Sequence, residues 1–101
     1  MKIIMTTYPA KPKELRQFIY RILGSKLAMC VNKINYVKSY YIWEWKIKND
    51  NEKILLIKTS EDKVKKLQAF LDKNHPYDVP EILILEPNEV NESYLNWVNN
   101  N

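Results

Sequence analysis

Ile54, Leu55, Leu56 and Ile57 follow one another with no polar residue between them, bounded by Lys53 and Lys58. Successive side chains of a strand point to opposite faces, so four apolar residues in a row describe a strand covered on both sides. Such a strand belongs inside a sheet, not at its edge. Ile3, Ile4 and Met5 repeat the pattern within residues 2–7. A chain of 101 residues has room for one core, so the other elements must be arranged around two interior strands within a single domain, residues 1–101.

The spacing predicts two helices to cover them. From residue 13 to 27, Leu15, Phe18, Ile19, Ile22, Leu23 and Leu27 recur at helical intervals, with Glu14, Arg16, Gln17 and Arg21 on the other side. Gly24, the chain's one glycine, marks either a close packing contact or an early loosening of the last turn. The second helix carries Val64, Leu67, Phe70 and Leu71. It is expected to be capped by Thr59 or Ser60, to receive Glu61 and Asp62 in its first turn, and to end at a left-handed Asn74 before His75 and Pro76. Residues 81–86 enclose a last strand around Ile82 to Leu85, and Tyr94, Leu95, Trp97 and Val98 form a short terminal helix.

Between the helices, residues 30–34 and 36–48 are rich in β-branched and aromatic side chains, with a bulge expected near Asn35. Tyr41, Trp43, Trp45 and Ile47 alternate with Ile42, Glu44, Lys46 and Lys48, which predicts one aromatic face. Asn49, Asp50 and Asn51 are placed in the turn of a hairpin whose second arm is residues 53–58. The order strand, helix, strand, strand, helix, strand is that of the split βαβ: an α+β, ferredoxin-like βαββαβ sandwich with a short C-terminal helix, both main helices on one sheet face, and the first and third strands central. The other sheet face would carry Tyr41, Trp43, Trp45 and Ile47 uncovered, too much contiguous apolar area for a lone protomer, so oligomerisation is expected.

Composition removes several function classes. With one glycine, the chain cannot build the phosphate-cradling loops of dinucleotide or P-loop folds. One cysteine, Cys30, and one histidine, His75, cannot supply a disulfide, a thiolate zinc site or a two-histidine metal motif. A single imidazole would have to serve every catalytic role, so an enzyme is not expected. The first fifty residues hold ten Lys or Arg against three acids, the remainder six against nine. Fourteen of the sixteen basic residues are scattered lysines, the pattern of a solvated surface rather than a nucleic-acid footprint, and the interior strands carry none of the aromatics of an RNA-stacking platform. No apolar run approaches the roughly 20 residues that span a bilayer, and no secretory leader pattern opens the sequence, so a cytoplasmic protein without membrane contact is expected.

Ala28-Met29-Cys30-Val31-Asn32, Ser39-Tyr40-Tyr41-Ile42-Trp43, Glu52, Lys58-Thr59, His75-Pro76-Tyr77-Asp78-Val79-Pro80-Glu81 and Tyr94-Leu95-Asn96-Trp97 resemble, in order and spacing, the CutA divalent-cation tolerance family over nearly the whole chain. The resemblance implies a homotrimer whose long hairpin arms join sheets between subunits, with Tyr41, Trp43, Glu52, Lys58, Tyr77 and Trp97 lining a ligand cleft. It also implies contact with Cu(II) or another divalent cation and no required cofactor. Copper-binding relatives carry a cysteine late in the first strand and paired histidines before the Pro-Tyr; here these positions read Met5 and Asn74, which leaves His75 as a weak ligand and Met5 as a thioether beside it. Relatives also place glycine after the residue matching Trp43, where this chain has Glu44-Trp45.

Three uses compete on these residues. One is a cation-responsive or ligand-binding trimer; another is a signalling trimer of the PII type that holds a small anion between subunits, with Lys58 as its point charge; the last is an RNA module. Beside each stands a structural alternative. His75 can fix its loop, Cys30 can pack as a small hydrophobe, the aromatics can serve subunit packing, and Glu52 and Lys58 can be rim charges.

Overall fold

In the computed structural model, which describes residues 1–100, the elements run β1 (Lys2–Pro9), α1 (Pro12–Gly24), β2 (Cys30–Trp43), β3 (Lys46–Thr59), a 3₁₀ turn (Glu61–Lys63), α2 (Val64–Asn74), β4 (Ile82–Leu85) and α3 (Glu92–Asn99). The sheet is four-stranded and antiparallel in the order β2-β3-β1-β4, so the two unbroken apolar segments are the interior strands, as their pattern requires. The class is mixed α+β with three α-helices among the described residues.

One sheet face is sealed. Ile4, Leu55 and Ile57 point toward Leu15, Phe18 and Ile22 of α1 and Leu67 and Leu71 of α2, and all eight are buried in one cluster. Burying each such side chain contributes roughly 1.5–3 kcal/mol relative to leaving it in water. Between the helices, the rings of Phe18 and Phe70 lie 5.6 Å apart, and Arg21 sits 5.0 Å over Phe70 while donating to Asn74 Oδ1 at 3.1 Å. The opposite face is covered only in part, at the end where α3 lies against β3, with Lys58 over the Tyr94 ring and Val98 buried. Ile3, Met5, Ile54 and Leu56 are only half-buried there, and Leu83 and Leu85 are exposed, although the sequence pattern demands cover on both sides.

Several expectations are corrected. Helix α1 starts with Pro12 at its first position, where a missing N–H costs nothing, and it closes in a Schellman motif: Lys26 N–H donates to Leu23 and Leu27 N–H to Ile22. The left-handed residue of that cap is Lys26, at φ 58°, and the helix stops at Gly24 before reaching Leu27. Gly24 is no packing contact, since a β-carbon there would meet nothing within 4 Å. At α2 neither Thr59 nor Ser60 makes a side-chain cap; Thr59 Oγ1 instead donates to Leu27 O at 2.7 Å. Asn74 remains helical and donates to Phe70 O, while extended His75 ends the helix because Pro76 disfavours a helical residue before it.

The largest correction concerns the hairpin. The turn is Glu44-Trp45, both with positive φ (50° and 65°), between the paired residues Trp43 and Lys46. This is the two-residue primed turn that matches strand twist, usually signalled by Asn-Gly, and neither residue announces it. Asn49, Asp50 and Asn51 lie within β3 opposite Tyr40, Ser39 and Lys38. The bulge expected near Asn35 is present: Asn35 and left-handed Tyr36 stand against the single residue Lys53. Because β1 stops pairing at Glu52, residues 37–51 of the hairpin project beyond the sheet as a two-stranded arm. The result is 45 Å in its longest dimension, with a radius of gyration of 14.3 Å against about 13 Å for an ordinary chain of this size.

Candidate functional site

Moving the turn to residues 44–45 changes which side chains share a face. Residues opposite one another in an antiparallel pair project to the same side, so Ser39, Tyr41 and Trp43 join Lys48, Asp50 and Glu52 on one face of the arm. Ile47 pairs with Ile42 on the other side, and Trp45 sits at the tip, 98% exposed. The single aromatic face expected from Tyr41 to Ile47 is therefore divided, because the turn reverses the alternation.

The first of these faces forms one wall of a groove of about 840 Å³. Its other wall is the loop of residues 76–81, contributing Pro76, Tyr77, Asp78, Val79 and Glu81, and Thr7 closes it at the end of β1. Two phenol–carboxylate bonds frame it. Tyr77 Oη donates to Glu52 Oε2 at 2.7 Å, linking the loop to β3. Tyr41 Oη donates to Asp50 Oδ2, a diagonal contact across the hairpin. Burial, followed by the hydrogen bond to Glu52, pushes the Tyr77 phenol far above its ordinary range, and the bond to Asp50 raises that of Tyr41. Both tyrosines remain donors.

His75 holds the loop at its root. It is 8% exposed, its ring lies 5.5 Å from Tyr8 and 5.0 Å from Tyr77, and Tyr77 N–H donates to Nδ1 at 3.1 Å. A nitrogen that accepts carries no proton, so the proton sits on Nε2, which donates to Thr7 O at 2.6 Å. Both ring nitrogens are thus engaged. Met5 lies on the sheet face away from the helices, whereas the His75 ring packs on Tyr8 and Phe18 on the helix side. Among the described residues no three His, Cys, Asp or Glu side chains converge as a metal would require. The residues expected to meet a divalent ion do not fit one.

Of the expected cleft residues, Tyr41, Trp43, Glu52 and Tyr77 meet in the groove, and Lys58 and Trp97 do not. Lys58 lies six positions beyond Glu52 along β3, about 20 Å at strand rise. Lys58 donates to Asn32 Oδ1 and lies 5.8 Å over the Tyr94 ring, which stacks on Trp97 at 5.7 Å. Cys30, opposite Lys58, completes this second cluster beside Tyr94, whose phenol is raised by burial and then by Cys30. The sequence reading missed Thr7, Ser39, Lys48, Asp50, Asp78 and Glu81. Cross-strand parity would have found Asp50 beside Tyr41, had the turn been placed correctly.

Residues 2–101 match the family described as CutA1 divalent ion tolerance protein. The chain belongs to the CutA1 family. It is 35% identical over 98 residues to the divalent-cation tolerance protein CutA of Pyrococcus horikoshii, covering 97% of this chain and 94% of that one. It is 38% identical over 98 residues to the chloroplastic protein CutA 1 of Oryza sativa and 39% identical over 79 residues to the chloroplastic CutA of Arabidopsis thaliana, spanning 55% and 43% of those longer plant chains. Among solved CutA1 structures, that of Thermus thermophilus superposes with a TM-score of 0.91 at 33% identity, covering 100% of this chain and 98% of the other. The structure titled as the PII-like protein CutA of Nostoc sp. PCC 7120 in apo form gives 0.90 at 25% identity, covering 99% and 95%. Among the described residues no helix is long and apolar enough to cross a membrane.

Proposed function

We propose that this CutA1 chain acts in divalent-cation tolerance as a ligand-binding module, a homotrimer rather than an enzyme, with its ligand in the groove between the hairpin arm and the 76–81 loop. The observation that carries this reading is the groove itself, about 840 Å³ with its two walls tied by the Tyr77–Glu52 bond, a size suited to a small molecule. Binding is favoured over catalysis because the one imidazole is occupied on both nitrogens and could serve as a base only by giving up a contact that holds the loop. The reading includes no resident cofactor. The link to Cu(II) is read as indirect, since an ion would have to displace Thr7 O or the Tyr77 N–H to reach His75.

Self-association is supported by the half-buried Ile3, Met5, Ile54 and Leu56 on the open face and by the arm, whose β3 edge has no partner beyond Glu52 among the described residues. Docking of arms from neighbouring copies would satisfy both. Light scattering is expected to return three times the 12.1 kDa protomer mass; a one-protomer mass at micromolar concentration would overturn the assembly. The cytoplasm is the proposed compartment, although relatives include chloroplastic proteins and one titled as periplasmic, from Archaeoglobus fulgidus; fractionation of the native cell tests it. The alternative, a PII-like signalling trimer, holds a small anion between subunits with Lys58 as its point charge; within one protomer Lys58 stands outside the groove and is engaged by Asn32.

A further inference from the structure

We infer that the ligand of this groove is a small organic cation, an alkyl- or quaternary ammonium, with its charged head toward Glu52 and its carbon body against Trp43. The inference deepens the proposed ligand-binding role and rests on that reading.

The charge of the groove comes first. Asp50, Glu52, Asp78 and Glu81 line it against one cation, Lys48, so an anionic ligand would enter a field of its own sign. Glu52 is the decisive member. It is 7% exposed, and its Oε2 accepts only the neutral phenol of Tyr77. Among the described residues no lysine or arginine pairs with it, whereas Lys2 pairs with both Glu61 and Glu86. Its Oε1 accepts no hydrogen bond there and, since no sealed side-chain oxygen of the described residues is left without a partner, it opens on the groove. A carboxylate with one neutral donor and its second oxygen facing the groove is stabilised by a cation that comes to it.

The shape decides which cation. The four carboxylates line both walls and do not converge in any group able to hold a metal ion. A compact divalent ion needs several oxygens within about 2.6 Å at once, whereas an ammonium of low charge density is satisfied by one or two acceptors and aromatic faces. Trp43 and the ring of Tyr41 provide those faces, and Trp43 is half exposed, its ring open to a ligand.

The test is a titration of the full chain followed by ¹H–¹⁵N spectra and indole fluorescence at fixed ionic strength. The probes are n-butylammonium chloride, tetramethylammonium chloride, n-butanol and sodium butyrate. Saturable shifts confined to the groove are expected with both cations. Binding of n-butanol should be weaker by roughly tenfold or more, and butyrate should give no saturable shift. Glu52→Gln, which keeps the shape and the acceptor for Tyr77, should weaken n-butylammonium roughly tenfold, and Trp43→Ala, at an open position, should weaken tetramethylammonium severalfold. Butyrate or butanol saturating the same residues as well as the cations would overturn the cation assignment while leaving the groove as a binding site. Cation binding indifferent to both variants would also overturn it. No saturable response to any probe would overturn the ligand class and the groove reading together.

Discussion

Tyr77 Oη donates to Glu52 Oε2 at 2.7 Å across 25 positions of sequence, joining the loop after α2 to the point where β3 leaves the sheet. Because Glu52 is buried and takes no other donor among the described residues, the phenol sets how well that carboxylate is tolerated. Tyr77→Phe is expected to lower unfolding free energy by about 1–3 kcal/mol, the cost of orphaning a buried polar group. Glu52→Gln, which retains an acceptor, should cost less. Urea denaturation of both variants checks the order.

The same bond predicts a pH dependence. The folded protein holds the Tyr77 phenol above its ordinary value of 10.0, by burial first and by Glu52 second. Above pH 10 the unfolded chain loses this proton while the folded one keeps it, so the folded state binds more protons and stability falls as pH rises. Below pH 10 the contribution is complete. The decline beyond pH 10 should be shallower in Tyr77→Phe, measured by urea midpoints between pH 8 and 11.

His75 is expected to matter for the loop and not for copper. His75→Ala removes the contacts to Thr7 O and the Tyr77 N–H and leaves space beside Tyr8, so a loss of about 2–4 kcal/mol is expected. Calorimetric heats of Cu(II) titration should be unchanged at a temperature where the variant is folded. Loss of the Cu(II) signal in that variant would place the ion on the ring.

Gly24 closes α1 with no neighbour within 4 Å of a β-carbon and without a positive φ. Gly24→Ala should therefore stabilise by about 0.5–1 kcal/mol, chiefly by restricting the unfolded chain. A destabilised variant would show that the helix end packs against something beyond this protomer.

Glu44 occupies the left-handed region at φ 50° in an exposed turn. Asparagine tolerates that region better, so Glu44→Asn should raise stability by roughly 0.5–1 kcal/mol. Thermal unfolding at matched protein concentration reads the effect without disturbing Trp45.

The interior strands and helices were legible because burial writes itself into spacing. Ile54 to Ile57 specify a central strand, and Leu15, Phe18 and Ile22 specify the helix face that meets it. The site was legible only in part. Tyr41, Trp43, Glu52 and Tyr77 were found through the family resemblance, while Asp50 was lost to a turn that Asn49 and Asn51 imitate and Glu44-Trp45 conceal. Turn chemistry is a weak local preference, and here twelve cross-strand pairs along the hairpin overrule it. Lys58 stands apart from Glu52 within one protomer, as their places at opposite ends of the third strand require, and meets Asn32 and Tyr94 there.

The position of β1 has a kinetic consequence. β1 leaves the ribosome before both strands that flank it, with Lys2 opposite Thr59 on β3 and Ile3 opposite Leu85 on β4, so its two edges are filled only after β4 has emerged. The β2–β3 ribbon, by contrast, closes over a two-residue loop as soon as both arms emerge. Assembly is thus expected to begin at the hairpin and finish with the docking of β1, the long loop closures delaying the last steps.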